Sequence, residues 1–197
     1  MIDSPYDLIV IGSGPAGQKA AIQAAKLGKR VAIIDRKDVV GGVCVHTGTI
    51  PSKTMREAIL YFSGFRQRMF YGKDCAVKEA ISMEDLAFRV RAVMAREVEV
   101  IRAQLKRNNV TLLCGGARFV GPHTVEVDMG LGMAGQRLEG DHVLIACGTR
   151  PAHHPAIPID GERVLDSDQV LQLGKIPREL IVVGGGVVGL EYASMFS

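Results

Sequence analysis

The sequence predicts an α/β protein: a Rossmann-like, three-layer domain with a helical hairpin and a β-meander, followed by the first strand and glycine turn of a second Rossmann-like domain. Three observations carry that prediction. Short apolar runs flank an alanine-rich helical stretch near the start, so the chain opens as a βαβ unit. A strand–glycine–helix module occurs twice, at Gly12-x-Gly14-x-x-Gly17 and at Gly184-x-Gly186-x-x-Gly189. Between them, residues 110–147 read as short β segments, and Pro151, Pro155 and Pro158 then mark an extended connector. The expected divisions are 1–150 for the first domain, 151–178 for the connector and 179–197 for the start of the second.

The elements follow in order. Asp7–Ile11 is an apolar strand, and the helix after it, with Ala20, Ala21, Ala24 and Ala25, stops at Gly28. A second strand runs from Val31 to Ile34 and ends in Asp35. Pro51 suits the first turn of a second helix, because its missing N–H would be unpaired there anyway. Met55, Ile59, Phe62 and Met69 give that helix one apolar face. A third helix starts at Ser82, where Asp85 completes a capping box, and Leu86, Val90, Val93, Ile101 and Leu105 form its stripe. The two long helices are expected to pack as a hairpin. Strands follow at Val110–Cys114, Ala117–Val120, Thr124–Val127 and His142–Cys147, with turns from glycines and the Gly-Pro-His at 121–123. Leu180–Val183 reads as another buried strand, with a helix beyond its glycines. A lone parallel strand cannot bury its own faces, so the chain reads as the N-terminal fragment of a longer protein.

Composition excludes several classes. Of 197 residues, 47% are hydrophobic, and 24 basic against 21 acidic residues give a net charge of +3 without long charged blocks. A nucleic-acid partner would need a concentrated basic patch, so none is expected. No run approaches the length of apolar sequence that spans a bilayer. The opening residues lack the basic segment of a secretory signal. Cys44, Cys75, Cys114 and Cys147 form no Cys-x-x-Cys pair, so neither a zinc site nor a disulfide scaffold is expected, and the cytoplasm is the natural compartment. Cys44 reads as a small buried residue without redox use; Cys75, Cys114 and Cys147 read as core or strand residues. His46 beside Cys44 does not by itself make a nucleophile.

The first glycine run carries the most specific chemistry. Gly12 permits a tight turn, Gly14 lets backbone N–H groups approach a pyrophosphate, and Gly17 lets helix and sheet pack closely. The helix N-terminus adds partial positive charge. Asp35, eighteen residues beyond Gly17, can accept a hydrogen bond from a ribose hydroxyl and disfavours a 2′-phosphate. Gly12, Ser13, Gly14, Pro15, Ala16, Gly17, Asp35 and the adjacent Arg36 are therefore candidate dinucleotide contacts. Gly184, Gly186 and Gly189 repeat the pattern, without the downstream strand that would separate NAD from NADP. Two such runs suggest a tightly held electron carrier and an exchanging nucleotide.

The segment Gly41-Gly42-Val43-Cys44-Val45-His46-Thr47-Gly48-Thr49-Ile50-Pro51-Ser52-Lys53 resembles the redox segment of the flavoprotein disulfide reductases, with one departure. The first cysteine is Cys44, but Thr49 occupies the place of the second and can form no disulfide. In that respect the segment is similar to that of the soluble pyridine nucleotide transhydrogenases. His142–Pro151, Val164–Asp168 and Gly116-Ala117 resemble further family segments, and the likeness spans essentially the whole chain. The resemblance implies FAD as cofactor, with Gly42, Cys44, Gly116, Ala117, Ala146 and Gly148 among its contacts. It places Lys53 beside the flavin N5, paired with Glu191, as the catalytic residues. It implies NAD and NADP as exchanging substrates: NADPH gives hydride to the flavin, and NAD takes it away. It also implies a homodimer at full length and no turnover by the fragment alone. The alternatives are a divergent dihydrolipoamide dehydrogenase-like enzyme and a non-catalytic nucleotide-binding module.

Overall fold

A computed structural model describes residues 5–65, 69, 80–130 and 135–197. Cys75 lies outside the described residues. The chain divides into two compact units, one within Met1–His46 and Ala95–Thr149, the other within Thr47–Met94 and Arg150–Ser197.

The first unit is built on one six-stranded sheet. Its elements are β1 (Tyr6–Ile11), α1 (Pro15–Lys26), β2 (Val31–Asp35), α2 (Gly42–His46), β3 (Thr111–Cys114), β4 (Gly116–Gly121), β5 (Thr124–Asp128) and β6 (Gln136–Ile145). The strand order is β3-β2-β1-β6-β5-β4. β3, β2, β1 and β6 run parallel, whereas β6, β5 and β4 form the antiparallel meander. Strands covered on both faces need apolar side chains throughout, and Val31, Ala32, Ile33 and Ile34 are accordingly all buried. Ile9, Ala32, Ile34, Val125, Val127 and Leu138 share a core with Tyr6.

β6 serves both halves of the sheet. Gln136–Glu139 pair with β5, and Gly140–Ile145 pair with β1. Gly140 stands at the change of partner, where a Cβ would lie 2.9 Å from Ile9 Cδ1 and 3.3 Å from the Tyr6 carbonyl oxygen. A larger residue at the crossing would require the Ile9 side chain to move.

The second unit contains α3 (Thr49–Phe62), a single 3₁₀ turn (Val170–Gln172) and α5 (Val187–Phe196). A long helix, α4 (Met83–Arg107), is divided between the units after Met94. Met55 and Ala58 of α3 pack with Met83, Leu86 and Val90 of α4 and with Tyr192 and Met195 of α5. The hairpin expected from periodicity is therefore present, with α5 added to it. The capping box forms as read: Ser82 Oγ accepts the Asp85 N–H at 3.2 Å, and Asp85 Oδ2 accepts the Ser82 N–H at 2.9 Å.

Several expectations need correction. Leu180–Val183 is not a strand, and Ile181 is 90% exposed, because no neighbouring strand exists for it among the described residues. Met69 is exposed rather than part of the apolar face of α3. α3 begins at Thr49, two residues before Pro51, and the short helix α2 was not expected at all. Val93 is only half-buried, while Leu86, Val90, Ile101 and Leu105 are buried. Cys114 lies in β3 but is exposed; Cys147 is exposed and lies beyond the end of β6. Cys44 is half-buried.

Candidate dinucleotide-binding site

In the first unit the glycine loop joins β1 to α1. Gly12 has φ +108°, and its N–H donates to the Ile34 carbonyl at 2.7 Å. A Cβ there would lie 2.2 Å from the Ala146 carbonyl oxygen, so the end of β6 closes directly on the loop. A Cβ on Gly17 would lie 2.0 Å from the Gly12 carbonyl oxygen. Around Gly14, by contrast, a Cβ would meet nothing within 4 Å. First and third glycines are thus demanded by packing. The second leaves the backbone open to an approaching group.

The N-terminus of α1 suits an anion. Gly14 is its N-cap, no side chain caps it, Pro15 follows, and no acidic residue lies in the first turn. The partial positive charge of the helix is therefore not neutralised by the protein. Asp35 stands at the carboxyl end of β2 and accepts from Ser13 N–H at 2.9 Å, from the Ser13 hydroxyl and from Lys37 N–H at 3.1 Å. Arg36 is exposed. Gly42 comes close to the loop, since its Cβ would lie 2.9 Å from Gly14 Cα. These features, at the carboxyl ends of parallel strands, fit a dinucleotide.

Other predicted residues of this unit fall around the same sheet. Gly116 and Ala117 open β4, directly after a turn at Gly115, whose N–H donates to the Asp35 carbonyl at 2.9 Å. Ala146 N–H donates to the Ile11 carbonyl at 2.8 Å, and Gly148 has φ +69°. Cys44 and His46 both lie on α2, two positions apart, so their side chains do not face one another. His46 Nε2 instead meets the Val40 carbonyl at 2.9 Å. A Cys–His nucleophile is not built here.

The second unit brings Lys53 and Glu191 together across 138 residues of sequence, with Lys53 Nζ against Glu191 Oε1. Lys53 is 57% exposed and Glu191 18%. Lys53 lies in the second turn of α3, which starts at exposed Thr49; Glu191 lies on α5, just after the second glycine run. That run repeats the backbone of the first. Gly184 has φ +111°, and the N-cap Gly186 has φ −76° and ψ 171°, against −67° and 178° at Gly14. A Cβ on Gly189 would lie 2.8 Å from the Gly184 carbonyl oxygen.

Tyr192, beside Glu191, carries no sequence signal of a role. Its ring is buried in the apolar core of this unit, and its hydroxyl has no hydrogen-bond partner among the described residues. Burial foremost, then the charges of Glu191 and Asp168, push its phenol up to about 12. The folded state therefore holds the proton more tightly than an unfolded chain does, so stability falls as pH rises from about 10 to about 12. Tyr192→Phe is expected to raise stability at neutral pH by about 1 kcal/mol, since it removes an unpaired buried hydroxyl. It should also abolish that alkaline decline. Urea titrations of both proteins at pH 7 and pH 11 check both parts.

Among the described residues no helix is long and apolar enough to cross a membrane, and no group of His, Cys, Asp and Glu is placed to hold a metal.

A βαβ unit with an uncapped glycine turn, followed by a second turn of the same backbone form, defines a dinucleotide-binding architecture. The model of the pyridine nucleotide-disulphide oxidoreductase family matches residues 6–197, and the chain belongs to that family. It is 53% identical over 192 residues to the soluble pyridine nucleotide transhydrogenase of Mycobacterium bovis strain BCG Pasteur, covering 98% of this chain and 41% of the relative. The namesake of Pseudomonas fluorescens strain SBW25 is 39% identical over the same shares. Among solved structures, LpdA from Mycobacterium tuberculosis superposes with TM-score 0.85 at 32% identity, over 96% of this chain and 42% of that one. The Cu(II) complex of the HOCl-induced flavoprotein disulfide reductase RclA from Escherichia coli gives 0.80 at 27%, over 98% and 40%. The chain spans about two fifths of the length of the curated relatives it matches.

Proposed function

We propose that this chain is the FAD-holding N-terminal portion of a flavoprotein oxidoreductase that passes hydride from NADPH to NAD without a redox-active disulfide. The observation that carries the reading is Thr49, which stands where a dithiol enzyme needs its second sulfur. Residues 1–150 belong to the FAD domain, 151–178 connect, and 179–197 begin the NAD(P) domain.

Bound FAD would supply the two-electron chemistry. Gly12–Gly17 and Gly42 present backbone to the cofactor's pyrophosphate side, and Asp35 and Arg36 lie on its ribose side. Gly116, Ala117, Ala146, Gly148 and Cys44 complete its surroundings. Lys53 supplies a fixed positive charge where negative charge develops, and Glu191 holds that ammonium in place. Gly184, Gly186 and Gly189 receive the exchanging nicotinamide nucleotide. The full-length protein acts in the cytoplasm as a homodimer.

A dihydrolipoamide dehydrogenase-like activity is the second reading, favoured by the likeness to RclA, a flavoprotein disulfide reductase. It requires a second thiol, and position 49 provides a hydroxyl. Release of flavin by heat from the purified 197-residue chain tests the cofactor assignment. About one FAD per chain is expected; a chain that neither retains nor takes up FAD removes the cradle from this account.

A further inference from the structure

We propose that Ser13 is a positioning residue that sets how Asp35 recognises the ribose of a bound dinucleotide. The inference rests on the reading of the Gly12–Gly17 loop as a dinucleotide cradle. Spacing alone puts Ser13 among the residues that touch the ligand. Its accessibility is 0%, so its side chain reaches the ligand only through what it holds.

What it holds is specific. The Ser13 hydroxyl and the Ser13 N–H both donate to Asp35 Oδ2. The Gly41 N–H meets Ser13 twice, at 3.2 Å from Oγ and 3.1 Å from the carbonyl oxygen. Gln18, itself buried, donates from Nε2 to that same carbonyl at 2.6 Å. One residue thus ties the glycine loop, the tip of β2 and the approach to α2. A hydroxyl can donate once and accept as well, which is the use made of it here.

The knot decides what Asp35 has left to offer. An ionised carboxylate has about four acceptor sites. Ser13 occupies two on Oδ2, and Lys37 N–H occupies one on Oδ1. One site on Oδ1 remains for a ribose hydroxyl, on a carboxylate already fixed before any ligand arrives. Fixing the acceptor in advance removes part of the ordering cost of binding. Removing the Ser13 hydroxyl leaves Asp35 charged and bonded only by the Ser13 and Lys37 N–H groups, so its Oδ2 is less firmly fixed and discrimination for the ribose hydroxyls falls while contacts to the phosphates persist.

Calorimetric titration of the chain with ADP and with 2′,3′-dideoxy-ADP reads this directly. The native chain should prefer ADP by about tenfold or more, the range of a hydrogen bond to a charged group. In Ser13→Ala that ratio should fall severalfold, with the affinity for the dideoxy nucleotide little changed. A merely structural loosening would weaken both nucleotides alike, and that result, or a native ratio in Ser13→Ala, overturns the proposal. Ser13→Cys, whose thiol is larger and only a weak donor, is judged by the same ratio should the alanine variant not fold. If the native chain binds neither nucleotide, the cradle reading itself fails and the proposal falls with it.

Discussion

Gly17→Ala is expected to destabilise the first unit by roughly 3 kcal/mol or more and to abolish FAD retention. The added Cβ would lie 2.0 Å from the Gly12 carbonyl oxygen and 3.1 Å from Val10 Cγ1, and neither β1 nor α1 can retreat without opening the sheet. Gly14→Ala is the informative control. Its backbone, at φ −67°, accepts an L side chain, and the new methyl would meet nothing within 4 Å. Its melting temperature should stay close to the native value while FAD affinity drops, because the methyl occupies the path by which a pyrophosphate reaches the backbone N–H groups. Thermal melts with flavin-fluorescence titrations separate the two effects. Equal stability of Gly17→Ala and the native chain would contradict the packing role given to the third glycine.

Lys53→Met should leave FAD content unchanged and slow hydride transfer on the order of 10²-fold, the usual scale for removing one preorganised electrostatic contact. Glu191 loses its partner in that variant although it is only 18% exposed, so Glu191→Gln should produce a smaller loss of the same kind. Lys53→Arg keeps the charge and should recover part of the rate. Stopped-flow oxidation of NADPH by the full-length gene product measures all three. An unchanged rate in Lys53→Met would return this lysine to the role of a solvated side chain on α3.

The parts legible in the sequence are those where local chemistry dictates the backbone. The βαβ opening and both glycine turns are such parts: Gly12 and Gly184 take φ near +110°, and each third glycine sits over the carbonyl of its first. The Ser82–Asp85 box is another, since cap and acid lie three residues apart. Elements fixed by tertiary contact were not legible. α2 is five residues long, opens on a glycine and holds two valines, all of which argue against a helix, and it forms where Gly42 packs on Gly14. The first half of β6 hides behind Gly140, whose reason for being glycine is Ile9 of another strand. Leu180–Val183 has the composition of a central strand but no neighbouring strand among the described residues, so its apolar side chains meet solvent. The spacing singled out Asp35 as a candidate in the first unit, and the family pattern singled out Lys53 and Glu191, whose side chains meet in the second. The burial of Ser13 and that of the Tyr192 hydroxyl, which has no partner among the described residues, carry no signature in a single sequence.

The central claim is hydride exchange between nicotinamide nucleotides on a scaffold that lacks the second redox thiol. Its most direct test is to assay the full-length gene product, with NADPH as donor, for reduction of NAD and for reduction of lipoamide or glutathione disulfide. The account predicts faster transfer to NAD, with disulfide reduction appearing only in Thr49→Cys. Faster reduction of either disulfide by the native protein would contradict it.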